Sequence, residues 1–236
     1  MSSVADQQSK YQDGTYLQNN PGWHAEASPW KAEHIHEIMS KNGISPQTIC
    51  EIGCGAGGVL SALQERRHEA TFVGYDISPQ AFELCRKKAN NKLSFYQANL
   101  LEQEGAFFDV VLAIDVFEHV PDYMGFLSRL RSKASYKIFH IPLDLSAQAI
   151  LRESALVTAR EKVGHMHYFT KYTALATLID CGYQIIDWQY TRKGIDLPNQ
   201  GWKTRLLSVP RRSLFALSPN FAVHLLGGFS LLVLAV

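Results

Sequence analysis

The chain has 236 residues, of which 46% are hydrophobic and 19% are charged, and its formal net charge is +1. This composition predicts a globular domain with a full core and argues against a disordered chain. The near balance of charge argues against a nucleic-acid partner, because such binding needs a clustered excess of Lys and Arg. The four cysteines show no CxxC spacing, so we expect reduced thiols in a cytoplasmic protein.

The first part of the chain reads as an appendage to the main domain. Its beginning is polar and has no apolar stretch typical of a secretory signal, so we expect the protein to stay in the cytoplasm. The apolar spacing from Trp30 to Lys41 predicts a helix. We therefore interpret residues 1–43 as an arm and a lid helix, and residues 44–236 as the main domain.

The middle of the chain alternates short β-branched or aromatic runs with helical patterns. This alternation predicts a parallel sheet with crossover helices. The expected strands are Thr48 to Ile52, Thr71 to Tyr75, Leu93 to Gln97, Val110 to Ile114 and Tyr136 to Ile141. The expected helices between them are Gly58 to Arg67, Pro79 to Asn90 and Tyr123 to Arg131.

The last third predicts a helix from Lys171 to Ile179 and a strand from Tyr183 to Tyr190. The connection at 191–228 is long for a loop, which indicates a functional insertion or unrecognised structure, and we expect it to shape the substrate side of the site. The apolar end is too short and too glycine-interrupted for a membrane span. We interpret residues 229–236 as a buried last strand and keep peripheral membrane contact as the alternative.

The strongest local signal is a glycine cluster that follows the first strand, in the run from Ile49 to Gly58. Glycines at Gly53, Gly55 and Gly58 satisfy the G-x-G-x-x-G pattern of dinucleotide sites, and Gly57 completes the G-x-G-x-G form of S-adenosylmethionine enzymes. The glycines alone do not decide between the two cofactors.

Two acidic residues narrow the choice of ligand. Asp76 ends the second strand, 23 positions after Gly53, where a carboxylate can accept hydrogen bonds from ribose hydroxyls of either cofactor. Glu51 precedes the turn and puts negative charge near the ligand. That charge would repel a pyrophosphate and would stabilise the ammonium and sulfonium of S-adenosylmethionine.

Three segments resemble the first, second and fourth motifs of class I S-adenosylmethionine-dependent methyltransferases. They are Cys50 to Gly57, Gly74 to Ser78, and Phe108 to Val120 with its D-x-x-E-H-V run. The chain is most similar to the small-molecule branch that includes ubiquinone and menaquinone methyltransferases. Together with the strand alternation, this predicts an α/β fold: a Rossmann-like, doubly wound, mostly parallel seven-stranded sheet with an antiparallel last strand, plus an N-terminal helical arm.

The resemblance implies a role for each matching residue in binding S-adenosyl-L-methionine. Gly53, Gly55 and Gly57 would wrap the methionyl part, which Glu51 would orient, and Asp76 would hold the ribose. The remaining implied contacts are Ile77 against the adenine, Asn99 with Leu100 after the third strand, and Asp115 beside the transferred methyl group. Asn99 departs from the pattern, since an acid is usual there and an amide oxygen accepts more weakly.

Histidines supply the candidate catalytic groups. His119 follows the fourth strand at its carboxyl end, where ligands bind in open α/β sheets, and could act as a base or lie on an exposed turn. His167 could orient or deprotonate an acceptor, or precede the next helix as a capping residue. The HxH pair with His165 lacks a further ligand nearby in the sequence, so we expect no metal site.

The functional prediction is an enzyme that transfers a methyl group from S-adenosylmethionine to an oxygen or nitrogen of a small-molecule acceptor by in-line displacement. Two alternatives stay open: an NAD(P)-dependent oxidoreductase using the same glycine turn, and a non-catalytic, methyltransferase-like binding subunit. The expected partner is the small-molecule acceptor, with no nucleic acid, and the expected state is a monomer or a homodimer.

Overall fold

The computed structural model describes residues 13–20, 22–23, 25–152, 154–197 and 202–236. Residues 1–12 of the predicted arm lie outside these ranges. The strands are β1 Thr48–Ile52, β2 Thr71–Asp76, β3 Leu93–Gln97, β4 Phe108–Ile114, β5 Ala134–Pro142, β6 Ile185–Thr191 and β7 Ser230–Ala235. The first part of the chain contributes the helices α1 Thr15–Asn19, α2 Ser28–Lys41, α3 Gly58–Gln64, α4 Pro79–Cys85 and α5 Tyr123–Leu130. The rest contributes α6 Ala147–Arg152, α7 Ser154–Thr158, α8 Lys171–Asp180, α9 Lys193–Asp196, α10 Trp202–Leu217 and α11 Pro219–Leu226.

The strands form one seven-stranded sheet in the order β3-β2-β1-β4-β5-β7-β6. The pairs among β1 to β5 are parallel, whereas β7 runs antiparallel to both β5 and β6. This confirms the predicted doubly wound sheet with an antiparallel last strand. The strand order reverses next to β1, so the carboxyl ends of β1 and β4 open a crevice of the kind in which α/β proteins bind ligands.

Two apolar clusters cover the two faces of the sheet. One joins α2 and α3 to the sheet through residues such as Ile35, Leu60 and Phe72. The other joins α5 and α8 to the opposite face and includes Phe126 and Leu178. Their burial fixes the helices on both faces, which leaves the loops at the strand ends to carry polar groups.

The connection at 191–228, which looked too long for a loop, contains the helices α9, α10 and α11 within its described residues. Its end joins the apolar strand β7, whose residues Leu231 to Ala235 are buried between β5 and β6. A buried last strand is thus confirmed. Among the described residues, no helix combines the length and the apolarity needed to cross a bilayer.

Candidate active site

The glycine turn links β1 to α3 and is held by its neighbours. The backbone N–H groups of Gly53 and Cys54 donate to the carbonyl of Tyr75 at 2.8 and 3.1 Å. Gly55 has a φ of +53°, and its N–H donates to Asp76 Oδ2 at 2.8 Å. A Cβ on Gly55 would lie 2.5 Å from Trp23 Cδ1, so glycine is needed both for the backbone conformation and for the approach of the arm.

A cavity of about 280 Å³ opens beside this turn. The glycine turn, the carboxyl ends of β4 and β5, and the start of α2 surround it. Five of the predicted site residues line it, namely Glu51, Gly53, Gly55, Asp115 and His119. Its lining also includes Trp23, Lys31, His140, His165 and Lys193. The cavity therefore brings together the methionyl side of the predicted cofactor site and one of the two predicted catalytic histidines.

Glu51 carries an unsatisfied carboxylate at the bottom of the cavity. The residue is 2% exposed, and its Oε2 has no hydrogen-bond partner in the part of the chain that the structure describes. Burial raises the pKa of Glu51 well above its ordinary value, and the positive charge of Lys31 only partly opposes this effect. A cationic ligand group would supply the missing partner, because a buried carboxylate is costly unless it is paired.

Asp115 is the centre of a partly buried ion-pair network. Lys31 Nζ donates to its Oδ2 at 2.6 Å, and its Oδ1 lies 2.5 Å from His140 Nδ1. The other ring nitrogen of His140 lies 2.8 Å from Thr191 Oγ1. Burial alone would raise the pKa of Asp115, but His140 and Lys31 lower it well below the ordinary value. Asp115 is therefore an ionised group with fixed orientation, held at a φ of +55°.

Sequence reasoning missed the partners of Asp115. His140 is not among the predicted site residues, although it directly neighbours Ile114 in the pairing of β5 with β4. That neighbouring position at the carboxyl end of the sheet was a usable signal. Lys31 lies in the predicted helix from Trp30 to Lys41, and nothing in the sequence links position 31 to position 115.

His119 shares its surroundings with another histidine and a buried acid. Burial, followed by the nearby His165, lowers the pKa of His119 to about 4, so its imidazole is neutral at pH 7. Glu118 is fully buried, and no described residue hydrogen-bonds to either of its carboxylate oxygens; burial raises its pKa well above the ordinary value. Ligand atoms of these three side chains lie within 4.8 Å of one another. This donor set could hold a divalent metal ion, with Asp144 bonded to His165 Nδ1 at 2.6 Å as an outer partner.

The other predicted site residues lie outside the cavity lining. Asp76 is buried, with Oδ1 accepting from the N–H of Ser78 at 2.8 Å, and Ile77 is 52% exposed beside it. Asn99 Oδ1 accepts from the N–H of Leu101 at 3.0 Å and so caps the turn that contains buried Leu100. Gly57, at a φ of +71°, begins α3.

His167, the second predicted catalytic residue, also lies outside the cavity lining. Its Nε2 is 3.0 Å from the carbonyl oxygen of Val120. Its ring packs against Tyr123 with 4.4 Å between centroids. The side chain thus connects the loop before α8 to the segment that follows β4.

Comparison with known proteins finds similarity to methyltransferases, in sequence over part of the chain and in fold. Residues 50–135 match the family model described as a methyltransferase domain. The crystal structure of magnesium protoporphyrin IX methyltransferase from Synechocystis, with bound S-adenosylhomocysteine, superposes with a TM-score of 0.59 at 18% identity, over 88% of this chain and 82% of that one. The chain therefore shares the fold of that structure, and its residues 50–135 are similar to a methyltransferase domain.

Curated relatives match over a shorter stretch. The ubiquinone biosynthesis O-methyltransferase of Nitrosomonas europaea is 30% identical over 103 residues, which cover 41% of this chain and 42% of that protein. The phthiotriol/phenolphthiotriol dimycocerosates methyltransferase of Mycobacterium leprae is 31% identical over 98 residues, or 40% of this chain and 36% of that protein. The chain thus spans about two fifths of the length of these two relatives.

Proposed function

We propose that this protein transfers a methyl group from S-adenosylmethionine to an oxygen or nitrogen of a small-molecule acceptor. The observation that carries the proposal is the unpaired Glu51 carboxylate in a cavity bounded by the glycine turn. The ammonium and sulfonium of the donor are the cationic groups that such a carboxylate would bind. One of the relatives is an O-methyltransferase of ubiquinone biosynthesis. One of the solved structures of similar fold is an N-methyltransferase.

The residues of the turn fit the methionyl part of the donor. We propose that the backbone at Gly53, Gly55 and Gly57 wraps this part while Glu51 binds its ammonium. When bound, the donor supplies an activated methyl group on sulfur. The protein contributes position and exclusion of water, which is where a displacement of this kind gains most of its rate.

The nucleoside part is proposed to lie outside the present cavity, along the ends of β2 and β3. Asp76 would accept from the ribose hydroxyls, and its two hydrogen bonds to backbone N–H groups hold its carboxylate in place. The exposed side chain of Ile77 would pack on the adenine, with Asn99 and Leu100 at its edge. Asn99 keeps the departure noted from the sequence, since its oxygen already caps a turn.

We propose that His119 accepts the proton that the substrate's oxygen or nitrogen loses when it is methylated. It lines the cavity, and because its pKa is lowered to about 4 it presents a neutral ring at pH 7. Asp115 would lie beside the methyl group, fixed by Lys31 and His140. For His167 we retain the prediction that it orients or deprotonates the acceptor.

The proposal also includes the domain boundaries of the chain and its cellular compartment. We propose an arm and lid helix at 1–43 and a methyltransferase domain at 44–236, in which the insertion at 191–228 shapes the acceptor side. Thr191 contacts His140, and Lys193 lines the cavity, which supports that placement. All four cysteines are free and buried, which fits a reducing compartment such as the cytoplasm. A monomer or homodimer acting without nucleic acid completes the proposal.

Calorimetric titration of the protein with S-adenosylhomocysteine and, separately, with NADH tests the proposal. We expect binding heat with the first ligand alone. Heat with NADH alone would favour the oxidoreductase alternative, because the literal G-x-G-x-x-G pattern is present. If S-adenosylhomocysteine binds, a screen of hydroxyl and amine acceptors for its release from the methyl donor then separates an enzyme from a binding subunit.

A further inference from the structure

A second cavity, of about 220 Å³, lies between the segment that follows β5 and the turn that precedes β7. Helices α6 and α7 form one wall, and the turn after α11 forms another, with α10 contributing Arg211. Nothing in the cofactor site described above uses this cavity.

Two guanidinium groups line the second cavity, and no described residue serves as their counter-ion. Arg152 extends from the end of α6 and is exposed, and Arg211 lies half-buried on α10. Among the described residues, neither side chain forms an ion pair or a hydrogen bond. Among the described lining residues Asp144 is the only acid, and its Oδ2 lies 2.6 Å from His165 Nδ1. Two like charges at one cavity favour a ligand that neutralises them.

The rest of the lining is apolar or small. Leu156 and Leu226 supply branched side chains, and three alanines supply methyl groups. Gly227 approaches so closely that a Cβ there would lie 2.6 Å from Ser146 Oγ. A site with apolar walls and two cationic groups fits a ligand that has both an apolar part and an anionic group.

One side-chain pair separates this cavity from the proposed methyl-transfer cavity. Asp144 lines the second cavity, whereas its partner His165 lines the first and stacks edge-on against His119 with 4.9 Å between centroids. A molecule anchored in the second cavity would therefore have its other end close to His119.

We infer that the second cavity binds the anionic group, a carboxylate or a phosphate, of an amphiphilic ligand through Arg152 and Arg211. This deepens the proposed function, on which it rests, by naming the acceptor class: an acid with an apolar body. The anion belongs either to a freely dissolved molecule or to a lipid headgroup, since both present the same chemistry to the two arginines.

The test compares octanoate with octan-1-ol, which share the chain length and differ in charge. Binding to the intact protein is measured by calorimetry for wild type, for the double variant Arg152→Gln with Arg211→Gln, and for Arg129→Gln. Arg129 is an exposed arginine on α5, outside both cavities, so its variant is the control for loss of charge. Circular dichroism and Tm confirm that each variant folds.

We expect wild type and the Arg129 variant to bind octanoate at least about tenfold more tightly than octan-1-ol, as charge-assisted hydrogen bonds to guanidinium predict. The double variant should bind the two equally. Absence of the preference in wild type, or its persistence in the double variant, would overturn the inference.

Two further measurements identify the source of the anion and test the anion site separately from the proposed methyl transfer. Retention on vesicles containing phosphatidylglycerol, but not on pure phosphatidylcholine, with loss in the double variant, would identify a lipid headgroup. Octanoate selectivity without retention would identify a dissolved ligand. S-adenosylhomocysteine is titrated in parallel. If the protein binds S-adenosylhomocysteine but does not prefer octanoate, the anion site alone is overturned. If the protein prefers octanoate but does not bind S-adenosylhomocysteine, methyl transfer is overturned and the anion site is supported.

Discussion

Replacing Glu51 by Gln should change stability and donor affinity in opposite directions. The wild-type carboxylate is buried without a partner for Oε2, and burial raises its pKa well above the unfolded value. A group whose pKa is raised on folding binds more protons in the folded chain, so stability falls as pH rises above about 4.5. Because the amide does not titrate, Glu51→Gln should gain stability relative to wild type as pH rises from 4.5 to 7.

The same substitution should weaken donor binding. It removes one charge-assisted contact to the donor's ammonium, which corresponds to about 1.5 to 3 kcal/mol. That energy equals a loss of about 10- to 150-fold in affinity. Urea unfolding between pH 4.5 and 7 measures the first effect, and calorimetry with S-adenosylhomocysteine measures the second.

Glu118→Gln provides the matched control. Glu118 is buried like Glu51, and among the described residues neither of its carboxylate oxygens has a hydrogen-bond partner, but it does not line the cavity. The variant Glu118→Gln should gain stability relative to wild type as pH rises, in the same way as Glu51→Gln. Its affinity for the donor should stay within about twofold of wild type. Unchanged affinity of Glu51→Gln would refute the placement of the donor's cation at this carboxylate.

Three further substitutions test other parts of the site. Asp76→Ala should weaken S-adenosylhomocysteine binding by about 1 to 3 kcal/mol in calorimetry, because ribose hydroxyls lose their acceptor; equal affinity would place the ribose elsewhere. Gly55→Ala should lower the free energy of unfolding by at least about 1 kcal/mol, since its positive φ and the contact with Trp23 both disfavour a Cβ; a urea midpoint equal to wild type would contradict this. Wild type should lose up to about 3 kcal/mol of stability as pH falls from 6.5 to 4, because the lowered pKa of His119, about 4, makes protonation favour the unfolded chain. The variant His119→Gln should lack this loss. Parallel profiles of stability against pH for the two proteins would show that His119 titrates normally.

The sequence predicted the sheet well because each strand carries its own local signal. The runs at Thr48–Ile52 and Leu93–Gln97 match the observed strands at both ends. Buried parallel strands are short apolar runs bounded by turn residues, so periodicity alone finds them. The cap formed by Ser78, whose Oγ accepts from the N–H of Ala81 at 3.3 Å, is a similarly local feature.

The connection after β6 was harder to interpret because its local signals conflict. A proline stands at position 210, inside the span of α10, and proline ordinarily interrupts a helix. The glycines at 227 and 228 mark the true end of the helical part, and α11 stops at Leu226. Tertiary packing of α11 against α6 and α10, which no local pattern encodes, overrides these signals.

The candidate site was predictable only where it depends on strand ends. Glu51 and Asp115 follow from their positions at the carboxyl ends of β1 and β4, whereas Lys31 enters from a helix whose orientation depends on packing. The consequence for pKa values was equally hidden from the sequence. Glu51 and Asp115 are both acids beside Lys31, yet burial raises the pKa of Glu51 well above its usual range, whereas His140 and Lys31 hold that of Asp115 well below its usual range.

This unequal sharing of one lysine favours a cationic ligand over a dinucleotide. Lys31 donates its hydrogen bond to Asp115, which also contacts His140. Glu51 therefore retains only a longer-range attraction to the Lys31 ammonium. An incoming pyrophosphate would add negative charge to a cavity that already contains two acids, and its cost would rise as water is displaced. A sulfonium and an ammonium would instead complete the charge balance, since each adds the cation that Glu51 lacks. The glycine pattern is common to both cofactors, and the unpaired acid at its base is what distinguishes them.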